Sequence, residues 1–340
     1  MLLTGAGFSK NWGGWLGSEI WERLLANSAV RTDDRLRSQM LGASQLNYES
    51  ILGDLRDEGA ASLDRVAAME SAIVDVFRRQ DESQRVNADA ANFKHQEFDE
   101  FLDVFSVDNG GGGIFTLNQD LFLERISGKR LVTPDIASIA INDGTAFDDS
   151  RHVVRVSDAA LPLAPIESRS IRYTKLHGSF NWRTSDGNAL MISGTRKVEQ
   201  AERFPLLKNY LNVFRQACLA PNAFLLIVGY GFSDEHINET IVAGARQGLR
   251  IAVASVMDAR TFQEDLLNPI RNGRRSYANA SVVARIGTDS PLLGGPDFYA
   301  RLDIWRALVG YFSEPLGTVF RRGVPVTLFE EFSRACLHDG

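Results

Sequence analysis

The chain has 340 residues, 44% of them apolar and 24% charged, an ordinary globular composition that excludes disordered and fibrous classes. Its 37 Lys and Arg against 43 Asp and Glu leave a formal net charge of −6, which speaks against a nucleic-acid-binding basic stripe. Two cysteines, Cys218 and Cys336, exclude a disulfide framework and any four-cysteine zinc site built within one chain.

Met1-Leu2-Leu3-Thr4-Gly5 has no basic segment and no long apolar stretch, so no signal peptide is expected. The longest apolar run, Ala223 to Val228, is far short of the roughly 20 residues a membrane helix needs. These features predict a soluble, cytoplasmic protein without membrane contact. The short basic clusters at Arg271, Arg274, Arg275 and Arg321-Arg322 read as solvated faces, so direct nucleic-acid binding is not expected.

In chain order, the first element is a strand at Leu2–Thr4. It is short for a central strand, typically about 5–6 residues, so either it is truncated or the natural start lies upstream. Gly5-Ala6-Gly7-Phe8-Ser9 follows as a turn. A helix is predicted from Gly17 to Val30, with Ser18 as N-cap and Ile20, Trp21, Leu24 and Leu25 on one face. A second runs from Ser62 to Gln80 on Val66, Met69, Ile73, Val76 and Phe77, and a third from Glu97 to Phe105 on Phe98, Phe101, Leu102 and Phe105. The glycines of Asn109–Gly113 form a loop.

Short β-branched runs at Gly113–Leu117, Ser170–Leu176, Phe224–Gly229, Arg250–Val256 and, more weakly, Ser281–Ile286 read as further strands. Strands alternating with helices predict an α/β fold: a Rossmann-like parallel sheet with helices on both faces. A helical insertion at about 18–105 forms a cap, and residues 291–340 form a C-terminal helical region for packing or assembly. The catalytic domain is expected to span 1–290.

Ligands of such sheets bind at the carboxyl ends of the strands. Four chemically loaded segments stand there: Gly5–Ser9, then Asn118-Gln119-Asp120, then His177-Gly178-Ser179 with Asn181-Trp182, then Gly229-Tyr230-Gly231-Phe232-Ser233-Asp234. Each has a plainer reading. The first is a tight strand-to-helix turn, and the dehydrogenase fingerprint fails because Lys10 stands where it needs a third glycine. Asp120 fits an Asx turn that caps a helix at Leu121–Arg125. A lone His is more often structural, and Asp234 fits an N-cap. Four such segments at four strand ends point instead to one crevice.

Taken together, the four segments resemble the sirtuin family. Gly5–Ser9 looks like its first-turn motif, Thr116-Leu117-Asn118-Gln119-Asp120 like its Thr-Gln-Asn-x-Asp motif, and His177-Gly178 like its catalytic pair. Gly229–Asp234 stands where the family has its late glycine-rich turn. The ordered resemblance runs to about Val256. It implies an NAD+ site in which Gly5, Ala6, Gly7, Phe8 and Ser9 border the pyrophosphate. Thr116, Asn118 and Asp120 would hold the nicotinamide ribose and amide, with His177 as general base. Gly229, Tyr230, Gly231, Asp234 and Ser255 would border the adenosine half.

Sirtuin deacylases carry a four-cysteine zinc module between the His-Gly pair and the late turn. Residues 178–222 hold Cys218 alone. Asn181-Trp182 and the Gly-Tyr-Gly-Phe-Ser-Asp turn look more like the bacterial sirtuin-like NAD+ hydrolases of antiphage defence. The resemblance therefore implies NAD+ as substrate, no metal, and catalysis by Asn118, His177 and Asp120. It also implies regulation by homo-oligomerisation or by a separately encoded partner, such as a motor ATPase, an Argonaute-like protein or a nucleotide sensor. A zinc-less deacylase or ADP-ribosyltransferase, and a non-catalytic NAD+ or ADP-ribose sensor, are the alternatives.

Overall fold

The computed structural model describes residues 1–10, 12–43, 46–88, 95–106, 108, 112–127, 130–133, 154–155, 170–187, 189–255 and 307–312. The expected strand at Ser281–Ile286, the arginine clusters and the division at residue 290 lie outside these. The described elements are β1 (Leu2–Thr4), α1 (Ala6–Lys10), α2 (Gly17–Ala26), α3 (Ser28–Thr32), α4 (Asp34–Gly42), α5 (Tyr48–Asp57), α6 (Leu63–Ala88) and α7 (His95–Asp103). They continue with β2 (Ile114–Thr116), α8 (Phe122–Ser127), β3 (Leu131–Val132), β4 (Val154–Arg155), β5 (Ile171–Lys175), β6 (Gly178–Arg183) and β7 (Ala189–Met191). The last are α9 (Lys197–Glu202), α10 (Pro205–Leu219), β8 (Phe224–Val228), α11 (Glu235–Arg246), β9 (Arg250–Ala254) and β10 (Leu308–Phe312).

The fold is α/β, a Rossmann-like parallel sheet flanked by helices. The chain divides into two compact units, both discontinuous. The first comprises Met1–Phe8, Lys94–Phe115 and Leu211–Gly340; the second comprises Ser9–Phe93 and Thr116–Tyr210.

In the first unit the strands run in the order β10-β9-β8-β1-β2. β1 and β8 pair in parallel with Leu2 opposite Leu226 and Thr4 opposite Val228, and β8 pairs β9 in parallel from Phe224–Arg250 to Val228–Ala254. All five residues of β8 are buried, as expected of a central strand covered on both faces. Phe98 and Leu102 of α7 and Ile237 and Ile241 of α11 are buried too.

Of the expected C-terminal helical region, 291–340, only residues 307–312 are described. Leu308–Phe312 is not helical but a strand, parallel to β9. Leu308, Val309 and Phe312 have a spacing that suits either element, and a short apolar run does not distinguish them. The open edge of β9 decides: the Ile251 N–H donates to the Ala307 carbonyl at 2.9 Å.

In the second unit the helical insertion forms its own core. Trp21, Leu24, Val30, Leu36, Met40, Leu52, Met69 and Ile73 are buried together with Leu121 and Phe180. The helix predicted over Gly17–Val30 breaks at Asn27, whose side chain accepts from the Ala29 N–H at 2.9 Å and so starts α3. Leu16, not Ser18, holds the N-cap position of α2, and the Glu19 carboxylate accepts its N–H at 2.9 Å. The helix expected to stop at Gln80 continues to Ala88 and buries Gln80, Asp81 and Gln84. The apolar period ends at Phe77 because the next turns face polar partners.

A small sheet β4-β6-β7 completes this unit, β4 parallel and β7 antiparallel to β6. It was not expected from the sequence. Beside it, β3 and β5 pair in parallel, and the Leu176 N–H donates to the Thr116 carbonyl at 2.9 Å.

Candidate functional site

In the first unit, β1 leads into α1 after a single residue, Gly5. The Gly5 N–H donates to the Val228 carbonyl at 3.0 Å, the Gly7 N–H to the Gly229 carbonyl at 2.9 Å, and the Phe8 N–H to the Gly5 carbonyl at 2.9 Å. These amides brace the turn. A Cβ on Gly5 would lie 2.7 Å from the Gly229 oxygen, and one on Gly7 2.9 Å from the Gly229 Cα. The small residues are therefore required by the neighbouring turn of the protein itself, whatever ligand lies beyond. Phe8 is fully buried, its ring 6.4 Å from that of Phe98, while Ala6 is exposed.

Gly229 adopts φ +63°, open to glycine alone at low cost, and its own Cβ would meet the Phe8 nitrogen at 2.1 Å. Tyr230 acts as a strut. Its hydroxyl accepts from the Asp234 N–H at 3.1 Å and donates to Asn238 Oδ1 at 2.9 Å. Asn238 Nδ2 donates to the Phe232 carbonyl at 2.9 Å, which holds Phe232 at φ +54°. Gly231 is exposed, and Asp234 stands at the N-cap of α11 without a side-chain cap bond. Ser255, half-buried, follows β9.

In the second unit, Asn118, Gln119 and Asp120 follow β2, and His177 follows β5. Thr116 Oγ1 accepts from the Asn118 N–H at 3.0 Å, and Asn118 Nδ2 donates to Ser9 Oγ at 2.8 Å. The Ser9 hydroxyl in turn donates to the Asp120 carboxylate. Asp120 Oδ1 accepts from the Phe122 N–H at 3.1 Å, the expected Asx turn, and Oδ2 accepts from Gln80 Nε2 at 3.2 Å. Burial raises the Asp120 carboxyl above the ordinary aspartate range, opposed by the Lys175 ammonium, the Phe122 amide and Ser9.

The two strand ends are laced together. The Gln119 carbonyl accepts from the Phe180 N–H at 3.1 Å and from Ser179 Oγ at 3.2 Å. Gln119 Nε2 donates to the Ile192 carbonyl at 2.6 Å, and the Ile192 N–H donates to the His177 carbonyl at 2.8 Å. Gly178, at φ +72°, lets β7 approach, for a Cβ there would lie 2.2 Å from the Leu190 oxygen. His177 is 3% exposed and Asn181 is buried beside it in sequence. The structure thus ties the Asn118–Asp120 turn, with Ser9, to the His177 strand end through the Gln119 and Ile192 hydrogen bonds.

Beneath that turn lie charges that the motif-based reading passed over. Lys175, fully buried, donates to the Asp120 carbonyl and to Glu124 Oε1 at 2.8 Å. Tyr173 donates to Glu124 Oε2 at 3.1 Å. Arg125 and Asp81 form a two-point pair, Nε to Oδ1 at 2.6 Å. Burial raises the Glu124 carboxyl, opposed by Lys175, and pushes the Tyr173 phenol well up. A lysine inside an otherwise buried strand was the available signal.

Residues 112–264 match the family model described as the SIR2-like domain. The matched segment includes Thr116, Asn118, Asp120, His177, Gly229–Asp234 and Ser255; Gly5–Ser9 and the helical insertion precede it. A SIR2-like domain goes with NAD+-related activity. No curated protein matches the chain. Among the described residues, no helix is long and apolar enough to cross a membrane.

Proposed function

We propose that this SIR2-like protein is a cytoplasmic NAD+ hydrolase that cleaves NAD+ to nicotinamide and ADP-ribose. The observation that supports it most is the second-unit arrangement within the matched segment. There Asn118 and Asp120, braced through Ser9, share a Gln119-centred hydrogen-bond lattice with the His177 strand end. The lone Cys218 in residues 178–222 supports hydrolysis over deacylation, because a four-cysteine zinc module has no ligands there.

In this reading the bond between ribose C1′ and the nicotinamide nitrogen breaks, and nicotinamide leaves as a neutral base. Water adds to C1′ and loses one proton. His177 takes that proton, or one from a ribose hydroxyl, as the general base. Asn118 orients water and carboxamide without adding charge. Asp120, with both carboxylate oxygens held internally, acts as a fixed negative charge toward the developing oxocarbenium ion. Gly5, Ala6, Gly7, Gly229, Gly231 and Ser255 are assigned to the remainder of the dinucleotide. The physiological role proposed is NAD+ depletion in antiphage defence, controlled by self-assembly or a partner protein.

The test is to express the chain in cells, and to incubate the purified protein with NAD+, following NAD+ and ADP-ribose by chromatography. His177→Ala is expected to cut ADP-ribose formation by ~100-fold, the scale of removing a positioned catalytic group. Equal NAD+ levels with the parent and with His177→Ala overturn the reading. Turnover that depends on an acetylated peptide assigns the protein to deacylation instead.

A further inference from the structure

Every carbonyl and carboxylate oxygen of Asp120 is engaged within the second unit, and one of its partners is an unusual one. Lys175 is a fully buried lysine on a strand whose residues are otherwise mostly buried. Its ammonium reaches the Asp120 peptide oxygen and the Glu124 carboxylate. Glu124 is in turn held on its other oxygen by the Tyr173 hydroxyl. Taking three ionisable groups out of water is costly, and a buried ion pair by itself is weak evidence for stability. A packed apolar set would fill the same space at no desolvation cost. The arrangement has instead one geometric consequence: it pins the peptide between Asp120 and Leu121 from below, while Gln119 and Ser9 hold the same segment from the other sides.

We propose that Lys175 is a positioning residue that fixes the Asn118–Asp120 turn in its reactive geometry, with Glu124 and Tyr173 holding Lys175. The inference rests on the NAD+-hydrolase reading for its kinetic consequence, and on the hydrogen bonds alone for its structural one.

The experiment compares the parent, Lys175→Met, the double variant Lys175→Met with Glu124→Leu, and Tyr173→Phe. Lys175→Met alone strands a buried carboxylate and is expected to unfold more easily. The double variant removes both charges and is expected to melt near the parent temperature. If Lys175 positions the turn, the double variant stays folded, binds NAD+ with a KM within ~3-fold of the parent, and loses at least ~30-fold in kcat. Tyr173→Phe keeps the volume and is expected to lose ~5-fold in kcat at unchanged KM.

Hydrogen exchange supplies the readout that does not depend on catalysis. Amides of Asn118–Phe122 are expected to lose protection in the double variant while those of β8 keep it. A folded double variant with parental kcat and parental exchange at Asn118–Phe122 overturns the proposal. Should the double variant not fold, parental kcat and exchange in Tyr173→Phe overturn it equally. A parent that leaves NAD+ intact defeats the hydrolase reading, and the exchange measurement then still decides the role of Lys175.

Discussion

The Gly7 N–H donates to the Gly229 carbonyl at 2.9 Å, so two glycine-rich turns far apart in sequence form one hydrogen-bonded unit. Conventional reading of such turns assigns their glycines and amides to a phosphate. Here the glycines at 5, 7 and 229 are small because the two backbones touch. Any dinucleotide contact comes in addition to that requirement.

Gly229→Ala is therefore expected to cost more than about 2 kcal/mol of stability, because it combines a left-handed φ with a Cβ driven into the Phe8 nitrogen. Gly231→Ala, with open space at its Cβ, should stay within about 0.5 kcal/mol. Urea unfolding of both variants checks the pair. Equal losses would contradict the backbone-contact account.

Ser9 and Asn118 are predicted to act as one unit, since the Ser9 hydroxyl links the Asn118 amide to the Asp120 carboxylate. Asn118→Ala should reduce NAD+ cleavage ~100-fold and Ser9→Ala ~10-fold. The double variant should be little worse than Asn118→Ala. Multiplying losses in the kinetic cycle would show that the two residues act separately.

The Arg125–Asp81 pair anchors α8 to the extended part of α6, with the Asp81 side chain 1% exposed. Asp81→Ala should cost about 3–5 kcal/mol by leaving the guanidinium unpaired in the interior. Arg125→Met combined with Asp81→Leu should recover most of it. Calorimetric melting of the single and double variants measures the recovery.

Burial pushes the Cys218 thiol up to about 12, from an ordinary value near 9. The sign follows from the neutral form being the one that folding favours. This stabilising contribution is complete below pH 9 and is lost as pH rises from there toward 12. Near pH 8 the thiol should resist iodoacetamide in the folded protein and react readily in urea. Mass spectrometry of the Cys218 peptide reads this directly, and fast labelling of the native protein would contradict it.

The sequence by itself determined the α/β alternation, the positions of β1, β2, β5, β8 and β9, and the strand-end residues Asn118, Asp120 and His177. Those depend on local pattern: buried parallel strands are continuous apolar runs, and polar residues right after them stand out. Only the tertiary structure decided the rest. The helix from Leu63 runs past its apolar period because Gln80 and Asp81 meet Asp120 and Arg125, partners distant in sequence. Leu308–Phe312 is a strand because the β9 edge offers it hydrogen bonds. Glu124 is indistinguishable in sequence from an ordinary surface charge, and Lys175 differs only in standing inside an apolar strand run. They become a buried support for Asp120 only once β5 and α8 lie side by side, since a charge leaves water only where folding has already brought its partner.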